Sequence, residues 1–98
     1  MAKAARKKVV LQGYLLVPEA ELAAVLVELP RHIALTLAEE GCSVFVVQQD
    51  SENRCKFHVY EEFVDKAAFA VHQARVRDSQ WGLVSVNAER HYQVMGLE

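Results

Sequence analysis

The segment from residue 57 to 72 brings a carboxylate and an imidazole within reach of each other. Read as a strand, it puts alternate residues on one face, so Glu61 lies in an apolar row between Val59 and Phe63. A carboxylate in such a row needs a partner or a shifted pKa. His72 follows on the next predicted helix. Together the two side chains form a candidate acid–base site, with His72 as the general base.

Both residues also have structural interpretations. His72 shares the sheet-facing side of its helix with Phe69 and Val76, which is equally typical of a core histidine hydrogen-bonded to Glu61. Glu61 could be fixed by backbone donors, or by an arginine of a partner subunit. These readings are compatible with a catalytic role, and the sequence leaves them open.

Three more side chains are candidates for ligand contact. His32 follows Pro30 on the first predicted helix, and a bend there would turn it toward a cleft. Arg75, one turn beyond His72, could hold a carboxylate or phosphate. Trp81 could stack on an aromatic substrate. The alternatives are a half-exposed histidine, a solvated arginine and a core tryptophan.

The elements that must position these residues follow the order β-α-β-β-α-β, which predicts a ferredoxin-like α+β fold. Composition and periodicity predict strands over Val9–Val17, Ser43–Gln49, Lys56–Val64 and Glu89–Leu97, and helices over Glu19–Glu40 and Lys66–Arg75 or slightly beyond.

Helix boundaries follow from local signals. Pro30 predicts a kink or a brief break near Leu29, and Gly41 is a natural stop for the first helix. Asp65 is a good N-cap for the second helix. The segment 77–85 is ambiguous and is compatible with a short helix broken at Gly82.

The 98 residues, 52% of them hydrophobic, fit one domain whose sheet is buried on both faces. A back-to-back homodimer would bury the second face. No apolar run approaches the roughly 20 residues of a membrane helix, and no secretory signal is evident. We therefore expect a cytoplasmic protein without a membrane partner.

Charge divides the chain into a basic flexible leader, residues 1–8, and a domain, residues 9–98. The leader holds Lys3, Arg6, Lys7 and Lys8, which leaves seven of the eleven basic residues against thirteen acidic ones. An acidic body repels phosphate, so a nucleic-acid partner is not expected.

Cys42 and Cys55 bracket the predicted hairpin. With a turn near residues 51–53, Cys42 would lie opposite the Glu61 region and Cys55 opposite residues 47–49, too far apart for a disulfide. Free thiols indicate a reducing compartment. The histidines lack the spacing of metal ligands, so no metal site is predicted.

One run of residues resembles a known signature. It reads Phe57-x-x-Tyr60-Glu61-x-Phe63-x-Asp65-x-x-x-Phe69-x-x-His72 and is similar to that of the antibiotic biosynthesis monooxygenase family. The Glu40-Gly41-Cys42 step and the closing Glu89-Arg90-His91-Tyr92 also resemble its small quinol-monooxygenase-like members.

The resemblance implies a dimeric α+β barrel with a cleft between the sheet and the helices of each subunit. It implies an oxidoreductase that oxidises a small quinol-like or polyhydroxylated aromatic substrate with molecular oxygen, without metal or flavin. Tyr60 and Phe69 of the signature would then contact the substrate. Alternatives on the same fold are an isomerase or processing enzyme for a small carbonyl or phosphorylated sugar compound, and a non-catalytic dimeric ligand-binding module.

Overall fold

The computed structural model describes residues 7–98. In chain order the elements are β1 (Val9–Leu16), a 3₁₀ turn (Glu19–Glu21), α1 (Leu22–Leu37), β2 (Cys42–Gln49), β3 (Lys56–Phe63), α2 (Lys66–Arg77), α3 (Gln80–Val84) and β4 (Glu89–Met95). All four predicted strands are present, each within two residues of its predicted ends.

The strands form one antiparallel sheet in the order β2-β3-β1-β4. This confirms the ferredoxin-like α+β class. β3 is a central strand, and Glu61 at its middle pairs with Leu11 of β1 on one side and with Phe45 of β2 on the other. The sheet therefore surrounds Glu61 with apolar neighbours on both adjacent strands.

The helices cover one face of the sheet, and the core lies between them. One buried cluster contains Leu15, Val25, Phe57 and Trp81, among others. A second contains Val9, Leu11, Val59, Phe63 and Phe69. The alternation along β3 is as predicted, since Phe57, Val59, Glu61 and Phe63 are all buried.

Helix α1 differs from its prediction in two ways. It ends at Leu37, four residues before Gly41, and it passes through Pro30 without interruption. Proline removes only one intrahelical hydrogen bond. Val25, His32 and Thr36 are all buried, and this tertiary packing keeps the helix intact on both sides of the proline.

Helix α2 begins as predicted, because the Asp65 side chain accepts a hydrogen bond from the Ala68 amide at 2.8 Å. The ambiguous segment forms α3, in which Gly82 lies inside the helix and does not break it. The Ser79 hydroxyl caps α3 by accepting a hydrogen bond from the Gly82 amide. This cap stabilises the turn that presents Trp81 to the core.

The hairpin register corrects the predicted position of Cys42. Cys42 pairs with Phe63 rather than with the Glu61 region, because the β2–β3 ladder shifts between Cys42 and Val44. Cys55 lies in the turn before β3. Both thiols are free.

The predicted leader is only partly within the described residues. Lys3 and Arg6 lie outside them. Lys7 forms an ion pair with Glu98 at 2.9 Å, and Lys8 forms one with Glu62 at 3.3 Å. Across the described part of the chain, no helix has the length and apolar character needed to cross a membrane.

We predict that Gly13→Ala destabilises the fold. Gly13 has φ +150°, and a Cβ there would lie 2.0 Å from the His91 carbonyl oxygen on β4. Relieving this clash requires β1 and β4 to separate, which should cost about 1–3 kcal/mol. Urea unfolding measures the change. The exposed neighbour Gln12→Ala should stay within about 0.5 kcal/mol of the wild type, and equal stability of both variants would contradict the prediction.

Candidate active site

His72 is buried beside the second core cluster, against Phe63. It projects from α2 toward the sheet and is 2% exposed. Its ring centroid is 4.8 Å from that of Phe63 and 5.9 Å from that of Phe45. Burial lowers the pKa of His72, while the Glu39 carboxylate opposes that shift and Arg75 adds to it. The result favours a neutral imidazole, the form that accepts a proton.

Glu39 sets the tautomer of His72. Its carboxylate oxygens lie 3.0 and 3.2 Å from the His72 Nδ1 atom. A carboxylate only accepts hydrogen bonds, so Nδ1 carries the proton and Nε2 keeps its lone pair. The sequence predicts Glu61 as the hydrogen-bond partner of His72, and the structure corrects this, because Glu39 bonds to Nδ1 while Glu61 lies 3.8 Å from Nε2.

A hydrogen-bond chain fixes Glu39 in turn. The Arg75 Nε atom donates to the Glu39 carboxylate at 2.5 Å, and Arg75 Nη2 donates to the Thr36 hydroxyl at 2.9 Å. The Thr36 hydroxyl donates to the carbonyl of His32 at 2.8 Å. The chain ties α2 to the C-terminal half of α1. Arg75 is therefore not a freely solvated arginine.

Glu61 faces the other nitrogen of the ring. Its Oε1 atom is 3.8 Å from His72 Nε2, beyond hydrogen-bond distance, and has no hydrogen-bond partner although it is buried. Burial, with a smaller contribution from the nearby Glu39 charge, raises the pKa of Glu61 from 4.5 to about 7. Glu61 therefore changes its protonation state near neutral pH, next to the free nitrogen of His72.

His32 lies on α1 beside this pair. Its ring stacks on Trp81 with centroids 4.6 Å apart and planes 5° apart, and it meets Phe45 edge-on at 5.3 Å. Burial, and then the proximity of His72, lower the pKa of His32 to about 3. Its Nδ1 atom is buried without a hydrogen-bond partner. The ring centroids of His32 and His72 are 6.3 Å apart.

A cavity of about 400 Å³ opens beside this group. His32, Arg75 and Trp81 form part of its wall. The remaining lining residues are Glu28, Arg31, Leu35, Asp78, Ser79 and Gln80. The cavity thus reaches the stacked His32–Trp81 pair from outside.

The structure brings together five of the seven side chains that the sequence singled out: His32, Glu61, His72, Arg75 and Trp81.

Tyr60 and Phe69 are placed elsewhere. Tyr60 is on the opposite face of β3 from Glu61, because adjacent strand residues point to opposite faces. There its hydroxyl donates a hydrogen bond to Glu62. Phe69 is a core residue that packs edge-on against Phe63 at 5.5 Å. The expectation that these two side chains contact a substrate in the cleft is not supported by their positions.

Sequence reasoning missed Glu39 and Thr36. Glu39 precedes the Glu40-Gly41 step, where a charged residue near a helix end is ordinarily read as solvated. The one feature of the sequence that pointed to Glu39 was its position close to the turn that leads into β2. Among residues 7–98, no group of three or more histidine, cysteine, aspartate or glutamate side chains is arranged to hold a metal ion.

Comparison with solved structures identifies proteins of the same fold. A Bacteroides thetaiotaomicron protein of unknown function, described as a possible oxidoreductase, has a TM-score of 0.77 and 22% identity, with coverage of 93% of this chain and 98% of that one. SnoaB from Streptomyces nogalater, described as a cofactor-independent oxygenase, has a TM-score of 0.70 and 12% identity, with 94% of each chain covered. A search of curated proteins found no match.

Family membership follows from the sequence itself. The model of the family described as antibiotic biosynthesis monooxygenase matches residues 8–77, a segment that contains Glu39, Glu61, His72 and Arg75. This match spans well over half of the chain, from β1 through α2. The chain therefore belongs to the antibiotic biosynthesis monooxygenase family.

Proposed function

We propose that this protein is a cofactor-independent monooxygenase that oxidises a small quinol-like or polyhydroxylated aromatic substrate with molecular oxygen. One observation carries the proposal: His72 is held by Glu39 at Nδ1, and its Nε2 lone pair is directed toward a buried glutamate. This is the arrangement of a general base whose tautomer is fixed before substrate arrives.

The first step is removal of a phenolic proton. His72 Nε2 accepts the proton, and the imidazolium that forms is stabilised by the Glu39 carboxylate at Nδ1. Glu61, on the substrate side, accepts a hydrogen bond from the substrate when ionised and donates one when protonated. The surrounding rings of Phe45 and Phe63 exclude water from the reacting group.

The oxidation itself draws its electrons from the substrate. The phenolate transfers one electron to oxygen, and the resulting radical and superoxide combine at a ring carbon that carries a hydrogen. The peroxide takes up the proton held by His72, and the C–H and O–O bonds of the hydroperoxide then break with loss of water, which leaves a new carbonyl group. One oxygen atom enters the product and the other leaves as water, so the substrate supplies all four electrons and no external reductant is consumed.

Two further observations support the oxygenase class. The chain belongs to a family named for monooxygenases, and SnoaB, which shares the fold, is described as a cofactor-independent oxygenase. The cavity beside the stacked His32–Trp81 pair has a size within the range of small-molecule sites.

A second candidate function is proton transfer without oxygen, as in an isomerase or processing enzyme for a small carbonyl or phosphorylated sugar compound. The observation that favours it is the raised pKa of Glu61, about 7, beside His72, since two such groups can exchange a proton with a substrate near neutrality. Exchange of a substrate C–H proton with deuterated solvent in the absence of oxygen would distinguish this function.

We also propose that the protein is a cytoplasmic homodimer joined through the sheet face opposite the helices. That face carries exposed Val46 and Met95, 48% and 43% exposed, and half-buried Val10, Leu16 and Val44. A second copy would cover this apolar surface.

Analytical ultracentrifugation should give twice the chain mass of 11.0 kDa, and a single-chain mass at micromolar concentration would contradict the dimer.

We predict that His72→Ala lowers the rate of substrate-dependent oxygen uptake about 10²- to 10⁴-fold, because it removes the general base. The measurement is oxygen consumption with a panel of quinols, corrected for their spontaneous oxidation. With ¹⁸O₂, one labelled atom should enter the product.

The matched control for this experiment is Gln73→Ala. Gln73 follows His72 on α2 but is exposed and lies away from the proposed dimer face, so its removal should leave the rate unchanged. A folded His72→Ala variant with wild-type oxygen uptake would contradict the role of His72. Quinol-independent uptake in every variant would contradict the proposed activity.

We predict that Glu61→Gln changes how stability depends on pH. The folded protein raises the pKa of Glu61 from 4.5 to about 7, so the folded state binds more protons than the unfolded state between these values. Stability contributed by Glu61 is therefore full below pH 4.5 and is lost as pH rises through 7, by an amount on the order of 3 kcal/mol. Glu61→Gln should remove this loss.

Urea unfolding at pH 5 and pH 8, at one protein concentration, measures the effect. The control is Glu62→Gln on the opposite face of β3, where the Tyr60 hydroxyl lowers the pKa of the glutamate. This control should keep the wild-type loss at high pH. An equal pH dependence in wild type and Glu61→Gln would show that Glu61 is not held in the protonated form.

A further inference from the structure

We propose that His32 is a substrate-binding residue that recognises a second oxygen of the substrate through its Nδ1 atom, on the side away from the hydroxyl that His72 deprotonates. This inference rests on the proposed function and specifies which substrates the site selects. It predicts a preference for rings with two free oxygen functions over rings with one.

Hydrogen bonding within the site supports this role of His32. Glu39, Arg75 and the Thr36 hydroxyl are all satisfied by one another or by the backbone. Among the described residues, only two buried side-chain atoms lack a partner, and they are His32 Nδ1 and Glu61 Oε1. Unpaired buried polar atoms destabilise a fold, so both call for an explanation.

The positions of His32 Nδ1 and Glu61 Oε1 also support it. Both residues are more than nine-tenths buried, with His32 4% and Glu61 6% exposed. Both flank His72, since the two histidine rings are 6.3 Å apart and Glu61 Oε1 is 3.8 Å from His72 Nε2. Both unpaired atoms thus lie in the immediate surroundings of His72, and we assign one substrate oxygen to the His72–Glu61 pair and the second to His32.

The charge state of His32 limits the kind of group that it can bind. Its pKa of about 3 keeps the imidazole neutral at physiological pH. A neutral ring nitrogen either donates or accepts a hydrogen bond, depending on the tautomer. His32 is thus suited to a hydroxyl or carbonyl group and not to the recognition of an anion by charge.

Access to His32 Nδ1 involves Trp81. The indole is stacked on the imidazole and both line the outer cavity, while Nδ1 itself is buried. A ligand that bonds to Nδ1 must enter past this stacked pair.

Two substitutions separate the ring of His32 from its nitrogens. His32→Phe retains a flat ring against Trp81 and removes both nitrogens, and His32→Asn retains a polar nitrogen or oxygen near the Nδ1 position.

Anaerobic titration calorimetry tests the proposal without oxygen chemistry. The probes are naphthalene-1,4-diol and naphthalen-1-ol, which lacks the second oxygen. We expect wild-type protein to bind the diol about tenfold more tightly, the gain from one hydrogen bond to a buried group. His32→Phe should bind both probes about equally, and His32→Asn should retain most of the preference.

Thermal unfolding separates this role from a structural one. Because His32→Phe removes an unpaired buried nitrogen, its melting temperature should equal or exceed that of the wild type. A lower melting temperature with an unchanged preference for the diol would assign His32 to the core and overturn the proposal. Failure of the wild type to bind the diol more tightly than naphthalen-1-ol would also overturn it.

The outcomes distinguish this inference from the proposed function. Diol preference that depends on His32, without oxygen uptake by wild-type protein, would support the inference and contradict the monooxygenase activity. Oxygen uptake that depends on His72, with the diol preference intact in His32→Phe, would do the reverse.

Discussion

The Glu39 carboxylate, shared between His72 and Arg75, is the interaction on which the arrangement of the site depends. It contacts His72 Nδ1 at 3.0 Å and accepts from Arg75 at 2.5 Å. An imidazole inserted between Phe45 and Phe63 without this partner would be free to adopt either tautomer. With it, the ring has a defined proton donor on one side and a defined acceptor on the other. Arg75 keeps the carboxylate in place, and Thr36 connects the arginine to α1.

Hydrogen bonding around the same ring is incomplete at Glu61 and at His32. Glu61 and His32 each hold a polar atom that is buried and unpaired. The sheet imposes this on Glu61, because its pleat directs position 61 inward together with its apolar neighbours Val59 and Phe63. Burial then raises the pKa of Glu61 and lowers that of His32. Shifted pKa values of this kind are concentrated at functional sites, where groups needed for reactivity lower the local stability.

Short-range rules predicted most of the fold. Alternation along β3, the N-cap at Asp65 and the turn between β2 and β3 depend on neighbouring residues, and each is in place. The same rules were wrong at Pro30 and Gly82, since tertiary packing and the Ser79 cap outweigh local helix-breaking tendency there.

The site was predictable only in part, for the same physical reason. Glu61 and His72 are recognisable because each is polar at a position that periodicity marks as buried. Glu39 has no such mark: it is 33 residues from His72 in the chain, and only the tertiary fold places the turn after α1 beside α2. The signature suggested a role in the cleft for Tyr60, but strand alternation places it on the other face of the sheet.

Nitrogen-15 NMR of histidine-labelled protein at neutral pH tests the central claim most directly. We expect His72 to be neutral, with a protonated Nδ1 atom bonded to Glu39 and an unprotonated Nε2 atom. In Glu39→Gln the preference for this single tautomer should weaken. A His72 ring protonated at Nε2, or one that exchanges freely between tautomers in the wild type, would show that Glu39 does not set the tautomer.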